Sequence, residues 1–296
     1  MSTKNIAKIT APAAPHFVGD GFRVHNFIPG TSTMQEMDPF IMLDYNSKYV
    51  FPPKKTPRGV GVHPHKGFET VTIAYKGKVE HGDSTGSGGV IDEGDVQWMT
   101  AAKGILHKEF HEKEWSKNGG EFQMVQLWVN LPAKDKNSEP KYQNLRNAEM
   151  EKVSLPEGSG EVEVIAGAFN GRKGSASTFS PVHLFNAKIR NGGIGEFNFP
   201  ANYTTALLVI EGNIIVNGTD TVPGDHFAMF EKEGETFTIE AKEDAVVLIL
   251  SGEPLKEPIA AHGPFVMNTR EELIQAFDDF NKGKFGYLED CPGPDA

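Results

Sequence analysis

The chain has 296 residues, 38% of them apolar, with 32 glycines and 19 prolines spread along it. That length suits two domains or one large one, and the many short β-branched and aromatic runs between turn residues favour an all-β sandwich or barrel over a helical protein. A net charge of −11 without any Lys/Arg block argues against a phosphate-tracking face, so direct nucleic-acid binding is not expected. The single cysteine, Cys291, excludes an intramolecular disulfide and suits a reducing compartment. It has no basic or histidine neighbour in sequence, so a reactive thiol is not expected. No targeting pattern is visible at the N-terminus, and no run approaches the ~20 apolar residues of a membrane span. The cytoplasm is therefore the expected compartment, with the nucleus left open and no membrane partner.

In chain order, strands are predicted at 22–27 and 40–43, within a Gly/Pro-punctuated stretch that ends near residue 49. Residues 51–58 are rich in Pro and Lys and are expected to form a loop. Further strands are predicted at 69–75, 78–81, 96–100 and 123–129, separated by Gly77, by the glycines of 86–89, and by Gly94. Residues 131–140 are polar with a proline near each end. The expected organisation is an N-terminal domain over 1–135, a connecting segment over 136–175 and a second domain over 176–296. Near the end, Thr269-Arg-Glu-Glu272 is a capping-box pattern; Leu273, Ile274, Phe277 and Phe280 follow at helical spacing, and Gly283 is placed to stop the helix.

The second half echoes the first. Gly77-Lys-Val-Glu-His leads to Gly94-Asp95-Val-Gln-Trp-Met, and Gly212-Asn-Ile-Ile-Val leads to Gly224-Asp225-His-Phe-Ala-Met, with the Gly-Asp pairs 130 positions apart. Similar offsets carry His63 and His65 onto Asn198 and Pro200, and His107 and Glu109 to the neighbourhood of Phe237 and Ile239. The repeat keeps the scaffold without the chemistry, so the second domain is expected to be metal-free.

That chemistry lies between Gly59 and Glu109. His63-Pro-His65 and His107-Lys-Glu109 each place two donors two residues apart, hence on one face if both segments are strands. Brought together, the two clips offer three imidazoles and one carboxylate. That donor set suits Fe(II), Mn(II), Co(II), Ni(II), Cu(II) or Zn(II), and it leaves coordination positions open for a reaction. Glu69 competes for the carboxylate place, but four residues beyond His65 means roughly 13 Å along a strand unless a bulge at Gly67 shortens it. Glu109 is therefore the expected ligand, with Glu69 a candidate to accept a ligand histidine's other N–H. His81-Gly-Asp83-Ser84 reads as a polar turn that could line the pocket, and His111 as an outer neighbour of the site or an exposed residue. His16, His25, His183, His226 and His262 have no partners at ligand spacing.

At these residues the chain closely resembles the pirin family of the cupin superfamily. The resemblance runs through His-Pro-His-Lys-Gly-Phe-Glu-Thr-Val-Thr (63–72), His-Gly-Asp-Ser (81–84), Gly-Asp-Val-Gln-Trp-Met-Thr-Ala (94–101) and Gly-Ile-Leu-His-Lys-Glu (104–109). Gln-Leu-Trp-Val-Asn-Leu-Pro (126–132) and Gly-Pro-Phe-Val-Met-Asn-Thr (263–269) extend it over most of the chain. It implies two tandem jelly-roll-like cupin β-barrels with a short C-terminal helix, and iron in the first barrel, held by His63, His65, His107 and Glu109. It also implies a quercetin 2,3-dioxygenase-like activity in which Glu109 accepts the proton of a flavonol and O₂ is the second substrate. Phe68 and Trp98 are candidates to line a pocket shaped by loops 51–58 and 84–89. The rival implication is an iron-dependent redox-sensing regulatory protein that binds a transcription factor or a metabolic enzyme without catalysis. Two positions depart from the family. Ala102 stands where glycine is frequent, and Phe110-His111 follows Glu109 where Met or Pro is more usual; both bear on the pocket mouth.

Overall fold

The structure, a computed structural model, describes residues 2–290; Cys291 lies outside the described residues. Among the described residues no helix is long and apolar enough to cross a membrane. The chain forms two compact units, each built from antiparallel sheets of seven and four strands.

The first unit comprises residues 14–35, 40–147 and 256 onward. Along its larger sheet the strands follow the order Lys141–Leu145, Val96–Thr100, Phe68–Lys76, Gly120–Asn130, Phe40–Phe51, Phe22–Ile28, His16–Val18. The smaller sheet runs Gly59–His65, Ile105–His111, Val79–Asp83, Gly88–Ile91. Phe22, Val24, Phe51, Phe122 and Met124 of one sheet bury against Val79 and Ile91 of the other, giving a barrel with its core between the layers.

The second unit comprises residues up to 13, residues 36–39 and residues 148–255. Its larger sheet runs Ile6–Thr10, Phe227–Phe230, Thr204–Glu211, Ala245–Gly252, Val182–Ile189, Gly160–Ala166, Glu151–Ser154. The smaller runs Ile194–Asn198, Thr236–Ala241, Ile214–Val216, Asp220–Val222. Strand for strand the order repeats that of the first unit, so the sequence echo is a repeat of topology. A continuous apolar cluster that includes Phe169, Phe185, Phe197, Phe199, Phe230 and Phe237 fills this barrel.

The repeat exposes a difference at the edges. Residues 136–175, expected to connect the domains, carry strands of both units: Lys141–Leu145 closes the edge of the first large sheet, and Glu151–Ser154 and Gly160–Ala166 close that of the second. The edge next to Phe227–Phe230 is taken by Ile6–Thr10 from the start of the chain. Edge strands such as Lys-Tyr-Gln-Asn-Leu bury little and so lack the apolar alternation that marks a strand in sequence.

The last described segment, from 256, belongs to the first unit. A hairpin of Ala260–His262 and Phe265–Met267 leads to a helix, Arg270–Asn281, opened by the expected capping box of Thr269 and Glu272 and followed by Gly283 at φ +70°. Leu273 and Phe277 pack with Ala276 against Phe265 and Phe285. Ile274 does not join them; it is 61% exposed, because the buried stripe runs through 273, 276 and 277 instead.

Candidate metal centre

Both clips are strands, and they are neighbours. Ile105–His111 alternates strictly, with Ile105, His107, Glu109 and His111 buried and the residues between them half-exposed. Gly59–His65 pairs with it antiparallel, placing His63 directly opposite His107 and His65 opposite Ile105. The ring centroids of His63 and His107 are 4.1 Å apart, and those of His65 and His107 4.6 Å. One ring nitrogen from each of the three lies within 4.8 Å of the others.

The fit to a metal ion can be judged from the nitrogens. His63 donates from Nδ1 to the Gly61 carbonyl at 2.8 Å, which leaves the lone pair on Nε2. Both nitrogens of His107 and Nδ1 of His65 are buried without a hydrogen-bond partner. Leaving such groups bare costs about 1–3 kcal/mol each, whereas an ion would take one nitrogen of each ring. Burial, reinforced by the nearness of His63, pushes the His65 and His107 imidazoles well below the usual histidine range, so both are held in the neutral form that binds metals.

Glu109 is 7% exposed and sits across from His81 on the next strand. Its Oε1 accepts from the Thr72 hydroxyl at 3.1 Å, and Thr72 is also 2.8 Å from Gln126 Oε1. Gln126 in turn donates from Nε2 to Thr70. A carboxylate oxygen of Glu109 falls within 4.8 Å of a nitrogen of His107 and one of His81.

Glu69 is elsewhere. The chain leaves the smaller sheet at His65 and enters the larger one at Phe68, turning through Gly67 at φ +92°, where any Cβ would collide with the Val266 carbonyl. Glu69 is therefore not a continuation of the His65 strand. Its carboxyl accepts from Thr100 Oγ1 at 2.8 Å, and burial raises its pKa to about 7.

A cavity of about 320 Å³ opens beside the histidines. His63, His65 and Glu109 of the smaller sheet line it, as do the apolar Val24, Met42, Met124 and Trp128 and the polar Asp44, Asn46 and Gln126 of the larger sheet. The two aromatic residues expected to line it do not. Phe68 lies behind Trp128, stacked on it at 4.1 Å, and Trp98 is fully buried. Nor do loops 51–58 and 84–89 reach the cavity; Gly263 and Pro264, almost 200 residues downstream of His65, do. Of the two departures from the family pattern, Ala102 is buried at φ +42°, a conformation glycine takes more easily, and neither it nor Phe110 lines the cavity.

His111 is neither exposed nor beside the site. Phe22, Phe51, Trp115 and Phe122 enclose its ring, Nε2 donates to the Gly21 carbonyl at 2.8 Å, and burial lowers its pKa to about 4. His81 was underrated by the sequence. It is 3% exposed, its strand runs on to Asp83 where a polar turn was expected after 81, and its ring lies 5.3 Å from that of His107. The signal was present, since His81 and Asp83 are spaced two apart like the other clips. His16, His25, His183, His226 and His262 enter neither donor group found among the described residues.

In the second barrel the register partner of Phe237 is Phe197, where the first pairs His107 with His63. The sequence offset had pointed to Asn198, one residue away and on the exposed face.

Comparison with known proteins agrees with this architecture. The family model described as Pirin matches residues 21–129, and that of the Pirin C-terminal cupin domain matches 184–286. A Pseudomonas aeruginosa protein whose name proposes quercetin 2,3-dioxygenase activity is 46% identical over 282 residues, covering 95% of this chain and 98% of its own. The crystal structure of an Acinetobacter baumannii quercetin 2,3-dioxygenase superposes with a TM-score of 0.92 at 45% identity, over 97% of this chain and all of that one. An Escherichia coli pirin solved with nickel(II) shares the fold, with a TM-score of 0.63 at 20% identity over 83% of this chain and all of that one. With two cupin barrels and matches across both halves, this chain belongs to the pirin family.

Proposed function

We propose that this protein is a metal-dependent dioxygenase that opens the central ring of a flavonol such as quercetin with O₂ and releases carbon monoxide, with His63, His65, His107 and Glu109 holding iron(II). The observation that carries this is the convergence of three imidazoles, with buried nitrogens that nothing in the protein satisfies, on one wall of a largely apolar cavity that Glu109 also faces. The two relatives named for quercetin 2,3-dioxygenase support the choice of substrate class. When bound, iron(II) contributes Lewis acidity toward the flavonol oxygens and a redox partner for O₂; the same donors admit Mn(II), Co(II), Ni(II), Cu(II) or Zn(II).

The side chains divide the remaining work. Glu109 accepts the proton of the flavonol 3-hydroxyl, and the Thr72 hydroxyl holds that carboxylate in place. Trp128, Met42, Met124 and Val24 form apolar walls for a flat ring system and keep water away from it. Asp44, Asn46 and Gln126 are placed to receive the ring hydroxyls; burial pushes the Asp44 carboxyl up, and Asn26 Nδ2 donates to its Oδ1 at 2.7 Å. A volume of about 320 Å³ is at the lower end of the roughly 300–1,000 Å³ of small-molecule sites, so a single substrate molecule fits.

The decisive experiment incubates iron-loaded protein with quercetin under O₂, following loss of the flavonol absorbance and release of carbon monoxide. Both should occur together and should be abolished in Glu109→Ala. Absence of turnover, or equal turnover in the variant, overturns the proposal.

A further inference from the structure

We infer that His81 is a metal donor: with His107 and Glu109 it makes a second three-donor seat for a divalent transition ion, sharing both of those residues with the seat formed by His63, His65, His107 and Glu109. This rests on the metal-binding role proposed above.

The register supports it first. Val79–Asp83 flanks Ile105–His111 on the side opposite Gly59–His65, with His81 directly across from Glu109 and Asp83 across from His107. Alternation puts His81 and Asp83 on the same face as the other two clips, so three clips lie side by side on three adjacent strands. One donor atom each from His81, His107 and Glu109 lies within 4.8 Å of the others. Metal–ligand bonds of about 2.1 Å allow donors to be at most about 4.2 Å apart, so a closure of a few tenths of an ångström completes the seat.

The environment of His81 supports it independently. Neither ring nitrogen has a hydrogen-bond partner, although the side chain is buried. The fold itself does not ask for a polar residue here. In the second barrel the pair matching Glu109 and His81 is Ile239 opposite Val216, both buried and apolar.

The surroundings of the ring are fixed on two sides. Asp83 Oδ1 is committed to the Thr85 amide at 2.8 Å and hydroxyl at 2.6 Å, and to the Ser87 amide at 3.2 Å, which fixes the carboxylate. Its buried Oδ2 lies 3.7 Å from His81 Nε2, beyond hydrogen-bond length but on the side from which a carboxylate could take that nitrogen's proton once the other nitrogen is engaged. Tyr142 stacks on the same ring at 5.4 Å with an interplanar angle of 11°, restricting its rotation. The two seats serve one ion at a time. A neutral imidazole has a single lone pair, so His107 could bridge two ions only after losing its remaining N–H proton.

Cobalt(II) titration of the full chain tests this, with binding read by calorimetry and by visible d–d absorption, and folding checked by circular dichroism. Wild type should take up one equivalent. The His63→Ala/His65→Ala double variant should still bind cobalt, more weakly, and adding His81→Gln should weaken it by about a further 10- to 100-fold. If the double variant binds nothing while folded, or binds as well with His81→Gln as without it, the second seat is overturned and the first stands. If wild type takes up no cobalt, the proposed metal site itself fails. Should the double variant not fold, His65→Ala takes its place: cobalt binding weakened further by adding His81→Gln supports the seat, and equal binding with and without that change overturns it.

Discussion

The Thr72 hydroxyl lies 3.1 Å from Oε1 of Glu109 and 2.8 Å from Oε1 of Gln126, so one proton serves two acceptors, one on each sheet. Thr72→Val removes it while keeping the shape. One lost hydrogen bond to a carboxylate is worth about 1.4 kcal/mol, or roughly tenfold in rate. Steady-state kinetics on quercetin should show kcat lowered by about that factor with KM little changed, and Thr72→Ser should restore it. Equal kcat in Thr72→Val would remove Thr72 from the chemistry.

Replacing His107 separates stability from metal binding. Its two buried, unpartnered nitrogens burden the metal-free protein, so His107→Leu should raise metal-free stability by about 1–3 kcal/mol, seen as a higher urea midpoint. The same variant should lose the thermal stabilisation that cobalt or nickel confers on wild type. A lower urea midpoint would mean that the imidazole is satisfied in the absence of metal.

Glu69 should make the protein less stable as pH rises. Burial lifts its folded pKa to about 7 from an ordinary value of 4.5. Between these values the unfolded chain has already released the proton that the folded chain keeps, so stability falls with rising pH and levels off above about 7. The full difference is on the order of 3 kcal/mol. Glu69→Gln, which can still accept from Thr100, should flatten this slope in denaturant titrations from pH 4.5 to 7.5; an unchanged slope would place its origin elsewhere.

Trp128 joins packing to substrate binding. It stacks on Phe68 at 4.1 Å, meets the His65 ring edge-to-face at 5.1 Å, and lines the cavity. Trp128→Leu should cost about 2 kcal/mol of stability through lost apolar contact and raise KM for quercetin more than it lowers kcat. A fall in kcat at constant KM would instead point to a displaced His65.

Residues that act through local periodicity were legible in the sequence. His63 with His65 and His107 with Glu109 needed only the two-residue repeat of a strand, and the Thr269–Glu272 cap needed only the first turn of a helix. Glu69 was harder, because its distance from the site depends on the chain changing sheets at Gly67. His81 was underweighted because its strand, expected to stop at 81, is short and continues through Gly82 and Asp83 into a polar loop. The cavity was misplaced for a similar reason. Its walls are Trp128 and Met124 on one sheet and Gly263 and Pro264 from a distant segment, whereas Phe68 and the nearby loops only looked close in sequence.

The sequence by itself determined the all-β class, the doubled scaffold and two of the donor pairs, since each is written in spacings of a few residues or in a repeat between halves. Tertiary structure decided which strands became neighbours. It set His63 opposite His107 and Phe197 opposite Phe237, brought His81 to the far side of Glu109, and closed the edge beside Phe227–Phe230 with a strand from the start of the chain. Pairing of that kind is a competition among all available edges for backbone hydrogen bonds and apolar cover, and no local spacing records its outcome.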